Sequence, residues 1–249
     1  MTTADHRIES DYNRRPAGPI RWARVLGIGL VAAGVVVPFD GSIAGFAKNF
    51  QEGQRWQLGG DVRLVVNTLQ QFGDLATSLL VAWAVVLLDR PKVRRLLDWA
   101  AGALLTLLAL NILKLVLGRP RPRFDEPLTF IGPAGTHAVN LAQGQTDTIH
   151  AWEFWKHGAA QLWSMPSSHT SAAFATAVVL ARLYPALRPM VYTLACFVGF
   201  ARVLVGMHYP SDVVVGATIG LVVAGACMDV RLGQRLLGRT LGGGPGPNQ

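Results

Sequence analysis

Residues 99–117 read WAAGALLTLLALNILKLVL, an apolar run whose one charge is Lys114. Crossing a bilayer core takes about 20 mostly apolar residues, so this stretch predicts a membrane-spanning helix. Five further segments resemble it: Trp22–Phe39, Phe72–Leu88, Thr170–Leu183, Pro189–Val205 and Asp212–Val230. The composition agrees, with 51% hydrophobic and 15% charged residues in 249, where a soluble domain carries about 25% charge. A soluble globule, a disordered chain and a disulfide-stapled domain are excluded as classes. Cys196 and Cys227 lie inside apolar segments and read as small buried residues, not as a disulfide or metal site. The expected fold is all-α: a polytopic membrane bundle of six transmembrane helices, with short interfacial helices in its outer loops.

The net charge of +8 is no nucleic-acid footprint, because the cations sit between apolar blocks and not along one face. Their distribution sets the topology. Arg7, Arg14, Arg15, Arg21 and Arg24 precede the first segment, and Arg90, Lys92, Arg94 and Arg95 follow the second. Arg182 and Arg188 flank the fourth-to-fifth turn, and Arg231, Arg235 and Arg239 follow the sixth. Short cytoplasmic loops carry the excess Lys and Arg, so both termini are expected in the cytoplasm. Ser42-Ile43-Ala44 has the form of a signal-cleavage site, but removing the first segment would spoil this alternation, and the segment is read as retained. Expected boundaries are a cytoplasmic arm over 1–21, a six-span domain over 22–230 and a cytoplasmic, disordered tail over 231–249. The preference for arginine over lysine suggests a GC-rich bacterial genome, and the expected location is the bacterial plasma (inner) membrane with the site facing outside.

The long connections then lie outside. Positions 62, 65, 66, 69 and 72 are apolar at helical spacing, which fits a helix lying in the interface. In the connection 118–167, Trp152, Phe154, Trp155 and Trp163 stand in a helix-compatible stretch. They fit either an aromatic belt at headgroup level or a lip over a site that admits a lipid.

Three short blocks at this outer face carry chemistry. The first runs from Lys114 through Arg119, Arg121, Pro122 and Arg123. Cations at a helix end often snorkel to headgroups, yet four within ten residues, on the face that disfavours them, point to an anion site. The second is Pro166-Ser167-Ser168-His169, a helix start whose unpaired N–H groups make an anion cradle. The third is Arg202 with His208 and Asp212; a carboxylate four residues after a histidine is able to bond one ring nitrogen and fix the other as nucleophile. The alternative for that pair is a capping Asp beside a satisfied His. No Asp/Glu cluster of the kind that holds magnesium beside phosphates accompanies them, so neither metal nor cofactor is expected.

Taken together, Lys114 with Arg121-Pro122, then Pro166-Ser167-Ser168-His169, then Arg202, His208 and Asp212 resemble the three motifs of the type-2 phosphatidic acid phosphatase superfamily: K-x6-R-P, P-S-G-H and S-R-x5-H-x3-D. The resemblance implies a phosphatase of membrane lipids (phosphatidic acid, phosphatidylglycerol phosphate, isoprenyl diphosphate or lipid A) that works through a phosphohistidine without metal. It implies that His208 attacks phosphorus, Asp212 supports it and His169 protonates the leaving oxygen. Lys114, Arg121, Arg202 and the amides at Ser167 and Ser168 would hold the phosphate. Arg119 and Arg123 match no motif position and are left as auxiliary cations. Two positions depart from the pattern: Ser168 stands where the family has Gly, and Ala201 where it has Ser. The same site also suits a phosphotransferase with an acceptor other than water, a vanadate-dependent haloperoxidase, or a non-catalytic headgroup binder. The expected partners are a lipid substrate and the bilayer; the oligomeric state is not legible.

Overall fold

The structure, a computed structural model, describes residues 19–52, 60–141 and 144–241. In chain order the helices are α1 Pro19–Val36, α2 Asp40–Glu52, α3 Gly60–Gln70, α4 Leu75–Leu88 and α5 Val93–Leu117. After a two-stranded hairpin come α6 Ser168–Leu183, α7 Arg188–Leu204, α8 Pro210–Val230 and α9 Leu232–Leu241. Proline stands in the first turn of α1, α7 and α8, where its missing N–H costs nothing and its fixed φ suits a helix. Helices α2 and α3 occupy the connection in which a short helix is expected.

Among the described residues, four helical stretches are long and apolar enough to cross a membrane: Ile20–Glu52, Arg90–Phe124, Pro185–Leu204 and Pro210–Val230. A fifth forms if Leu64–Gly73 and Leu75–Leu88, bent by 61°, count as one. Apolar side chains face outward along them, among them Leu79, Leu80 and Trp83 of α4 and Leu104, Leu107 and Leu108 of α5. Water would penalise such a surface and lipid does not, so the chain is a multi-pass membrane protein. The segment expected at Thr170–Leu183 falls on α6, whose 16 residues rise only about 24 Å at 1.5 Å each.

Helix α6 is short and polar at its N-terminal end because neighbouring helices bury most of it. Ala173, Ala175, Ala177, Val178, Val179 and Ala181 are all buried, and α6 packs against α8, α7 and α5. Small residues let the backbones close in, as in membrane helix pairs generally. A Cβ added at Gly216 of α8 would stand 2.5 Å from the Ser167 carbonyl oxygen, and one at Gly220 only 2.2 Å from that of Ser171. That contact holds the N-terminal ends of α6 and α8 together, and the second and third blocks with them. At the opposite end Asp229 accepts a hydrogen bond from Trp22 Nε1 and pairs with Arg182, both at 2.7 Å.

Three expectations are corrected or extended. The fold is mostly helical as expected, with one addition: β1 His137–Asn140 and β2 Thr146–Ile149 pair antiparallel, with His137 opposite Ile149. Val139 and Ile149 are completely buried against Ala151, Ala159 and Leu162, so this loop carries a small core of its own. The stretch around Trp152–Trp163 is not a helix beyond one 3-10 turn, Ala159–Leu162; Gly158, at φ 89°, breaks it. The chain stays helical past the last span. Asp98, buried in α5, accepts from Gln234 Nε2 at 2.6 Å and docks α9 there. Residues 1–18 of the arm and 242–249 of the tail lie outside the described residues.

Candidate active site

Helix α5 ends where Gly118 turns left-handed (φ 57°) and its N–H bonds the Lys114 carbonyl at 3.0 Å. The ring-restricted prolines that follow stiffen the chain and send the two arginines apart. Arg119 turns inward and is completely buried, whereas Arg121 stays partly open. Lys114 Nζ reaches α6 and donates to Ser168 Oγ at 2.5 Å, which ties the first block to the second.

Ser167 occupies the N-cap position of α6, as its spacing predicts. Its hydroxyl, however, makes no bond to the helix N–H groups and accepts from Thr170 Oγ1 at 3.0 Å. The first N–H groups of an α-helix have no partner within it, so those after Ser167 remain available to an anion. Ser168 has ordinary helical φ, since the positive-φ non-glycine residues among those described are Asp125 and Arg231. Replacing the family's Gly there strains nothing.

His208 lies just before α8 and is almost entirely buried. Its Nδ1 is 2.6 Å from the Ser164 carbonyl oxygen. A carbonyl only accepts, so Nδ1 carries the hydrogen and the neutral ring leaves the Nε2 lone pair for attack. The bond expected from Asp212 is not made: its Oδ2 is 3.8 Å from Nδ1. Asp212 acts one step removed, accepting from Ser164 Oγ at 2.5 Å and from the Tyr209 N–H at 2.8 Å. The same serine thus meets Asp212 with its hydroxyl and His208 with its carbonyl.

Burial pushes the His208 imidazole below its ordinary value of 6.5, helped by Arg202 and Arg121 and opposed by Asp212. A lowered histidine stays neutral as the pH falls through 6.5 and charges only below its own pKa. The acid limb of kcat/KM, corrected for ionisation of the substrate phosphate, is therefore expected below pH 6.5. An acid limb at pH 7 or above would contradict a neutral nucleophile.

Behind Asp212 lies a buried network that the motifs did not announce. Arg119 NH1 donates to Asp212 Oδ1 at 2.5 Å and to Ser211 Oγ at 2.7 Å; its NH2 donates to Asp40 Oδ2 at 2.7 Å and to the Pro127 carbonyl. Asp40, the first residue of α2, also accepts from the Ser211 N–H at 2.9 Å and from the Ser211 hydroxyl. The guanidinium lies 4.3 Å from the centre of the Tyr209 ring. Asp40, Arg119, Ser211 and Asp212 are all 0% exposed. Arg119 is therefore no auxiliary phosphate cation: both carboxylates claim it.

Two more residues escaped the sequence reading. Asp74, just before α4, places Oδ1 2.9 Å from His169 Nε2. Buried Gln70 accepts from Arg202 NH1 at 2.6 Å. The remaining cations converge. Lys114 feels the charges of Arg121 and Arg202, His169 those of Lys114, Arg202 and His208, and His208 those of Arg121 and Arg202. Arg121 Nε and Arg202 Nε are buried with no hydrogen-bond partner among the described residues. Buried, crowded donors of this sort favour a polyanion. Arg123 stays exposed, 5.2 Å from the Phe124 ring. Among the described residues, no three His, Cys, Asp or Glu side chains form a group able to hold a metal ion.

A family model described as PAP2 superfamily matches residues 95–235. The chain is 31% identical over 112 residues to the lipid A 1-phosphatase of Rhizobium johnstonii, which covers 44% of this chain and 37% of that protein. It thus spans little more than a third of that relative's length. It is 30% identical over 164 residues to the decaprenylphosphoryl-5-phosphoribose phosphatase of Mycobacterium tuberculosis, covering 65% of this chain and 75% of that protein. Among solved structures it is similar to a transmembrane PAP2-type phosphatidylglycerolphosphate phosphatase from Bacillus subtilis. That likeness has a TM-score of 0.49 and 19% identity, over 88% of this chain and 96% of that one.

Proposed function

The chain belongs to the PAP2 superfamily, and on that footing we propose that it is a membrane phosphatase that hydrolyses a lipid phosphate monoester or diphosphate through a phosphohistidine. The observation that carries this reading is the neutral, buried His208, its Nδ1 bonded to the Ser164 carbonyl at 2.6 Å, within reach of the charges of Arg121 and Arg202. The substrate phosphate sits among Lys114, Arg121, Arg202 and the first amides of α6 after Ser167. His208 Nε2 attacks phosphorus; the N–P bond forms as the bond to the leaving oxygen breaks. His169, whose Nε2 meets Asp74 at 2.9 Å, gives that oxygen its proton. Water then attacks phosphorus, His169 takes a proton back, and inorganic phosphate leaves His208 neutral again. Asp212 stabilises the positive charge that His208 carries while phosphorylated. No step calls for a metal.

This reading places the protein in a bacterial plasma (inner) membrane, with α1, α4, α5, α6, α7 and α8 as six crossings. The termini are cytoplasmic and the site faces outward. The substrates named for its relatives, lipid A and a polyprenyl-linked phosphoribose, suggest a lipid that carries a sugar. Phosphate release in EDTA from a panel of diacyl, isoprenyl and lipid A phosphates tests the function. Metal-independent release that His208→Ala abolishes supports it; no release from any lipid refutes hydrolysis and favours transfer to another acceptor.

Two variants test individual roles. His169→Ala is expected to slow alkyl phosphates by about 10²–10⁴-fold and to spare aryl phosphates, whose leaving group needs no proton. Equal losses on both would remove the acid role. Lys114→Ala is expected to weaken vanadate inhibition by roughly tenfold or more, the worth of a charge-assisted hydrogen bond. Unchanged inhibition would take Lys114 out of the phosphate site.

A further inference from the structure

One wall of the cation cradle is shared with a second hollow. A cleft of about 540 Å³ opens beside Arg202, lined by Gln51 and Glu52 at the end of α2, Asn67 and Gln70 of α3, and Met207. It joins the cradle at two points. Arg202 is held by Gln70 at 2.6 Å, and Arg121 NH1 lies 3.1 Å from Met207 Sδ. It also joins the acid. The segment that supplies Asn67 and Gln70 runs on through the turn Gln71–Gly73 to Asp74, whose carboxylate meets His169 at 2.9 Å. A Cβ at Gly73 would stand 2.4 Å from the His169 carbonyl oxygen, so this turn is pressed against the acid. With His169 as the acid, as proposed above, the cleft adjoins the side from which the leaving group departs.

Three carboxamides and a carboxylate face this space. A carboxamide presents donors and an acceptor together, and a hydroxyl uses both. Gln51 donates through Nε2 to the Leu204 carbonyl at 2.6 Å, which fixes the side chain and leaves Oε1 to accept. Asn67 accepts through Oδ1 from Gln70 Nε2 at 3.3 Å, which leaves its NH₂ to donate. Arg202 also lines the cleft but is already bonded to Gln70; Glu52 disfavours a second phosphate, and an acyl chain would leave the amides unsatisfied at a cost. We propose that the cleft is a leaving-group subsite for a polyhydroxylated headgroup, sugar or glycerol, esterified to the phosphate that the cations hold. The proposal rests on the lipid-phosphatase reading and narrows its substrate class.

The test compares the full-length protein with Asn67→Leu and Glu52→Leu on lipid A 1-phosphate, phosphatidylglycerol phosphate and phosphatidic acid, the last of which has no free hydroxyl. Each variant is expected to lower the ratio of kcat/KM for a hydroxyl-bearing substrate to that for phosphatidic acid by about tenfold. Whichever hydroxyl-bearing lipid shows the larger drop identifies sugar or glycerol as the occupant. Ratios unchanged in both variants would overturn the subsite. Binding of the same lipids in mixed micelles, measured in a His208→Ala background, separates the two readings. If no lipid is hydrolysed but Asn67→Leu still weakens hydroxyl-bearing lipids selectively, hydrolysis is refuted and the subsite stands. If every lipid turns over and neither ratio nor binding selectivity moves, the subsite is refuted and hydrolysis stands.

Discussion

Replacing His208 by alanine is expected to reduce phosphate release at least about 10⁴-fold, the scale on which removing a covalent nucleophile acts. The size of the effect follows from the site's construction. Lys114, Arg121 and Arg202 bind and polarise the phosphate but do not attack it. The Ser164 carbonyl, 2.6 Å from His208 Nδ1, holds a nitrogen lone pair where water would otherwise be unactivated. His208→Ala keeps the cations, so substrate and vanadate should still bind while turnover disappears. Phosphate release and vanadate binding on the same preparation check both halves. A variant that retains more than a few per cent of wild-type turnover would show that another group attacks phosphorus.

Arg119→Ala is expected to destabilise the protein by about 3–5 kcal/mol, because it leaves buried carboxylates uncompensated. Asp40 and Asp212 are both 0% exposed and both bond this one guanidinium. Losing it strands two negative charges away from water and removes the cation lying over Tyr209. Asp40→Asn should cost less, since the amide oxygen still accepts from Arg119 and Ser211. The pair Asp40→Asn with Arg119→Met separates folding from function. Removing charges of both signs should recover part of the stability, yet Asp212 still loses its anchor and kcat stays low. Thermal unfolding in detergent and kcat, measured on the three variants, give the answer. An Arg119→Ala protein that unfolds like the wild type would refute the network, and full activity in the double variant would make it structural only.

How legible this molecule is depends on the distance over which its parts speak. The apolar runs announce α1, α5, α7 and α8 directly, since lipid demands a long apolar surface; α4 is long enough only together with the bent segment before it. Helix α6 is harder to read because its neighbours bury most of it: Ser168, His169, Thr170 and Ser171 open a helix packed among α5, α7 and α8. The hairpin escaped because strands of four residues, HAVN and TDTI, leave too short an alternation to see. Within the site, motif spacing located His169, Arg202, His208 and Asp212, whose neighbourhood is set by the starts of two packed helices. It did not locate Asp40, 79 residues from Arg119 and 171 from Ser211, because no local pattern links them. One signal was available: Asp40 directly follows Val37-Pro38-Phe39, and a carboxylate at the end of an apolar run needs a partner. The His208 contact was misread for a different reason. Its hydrogen goes to a backbone carbonyl, which a sequence does not display as a side chain.

The most direct test of the central claim is to quench a single turnover of a ³²P-labelled lipid phosphate and locate the label on the protein. The expected result is an acid-labile, alkali-stable phosphoryl group on His208 that forms and decays at rates matching turnover and is absent from His208→Ala. Turnover with no labelled protein, or label on any other residue, would contradict the mechanism.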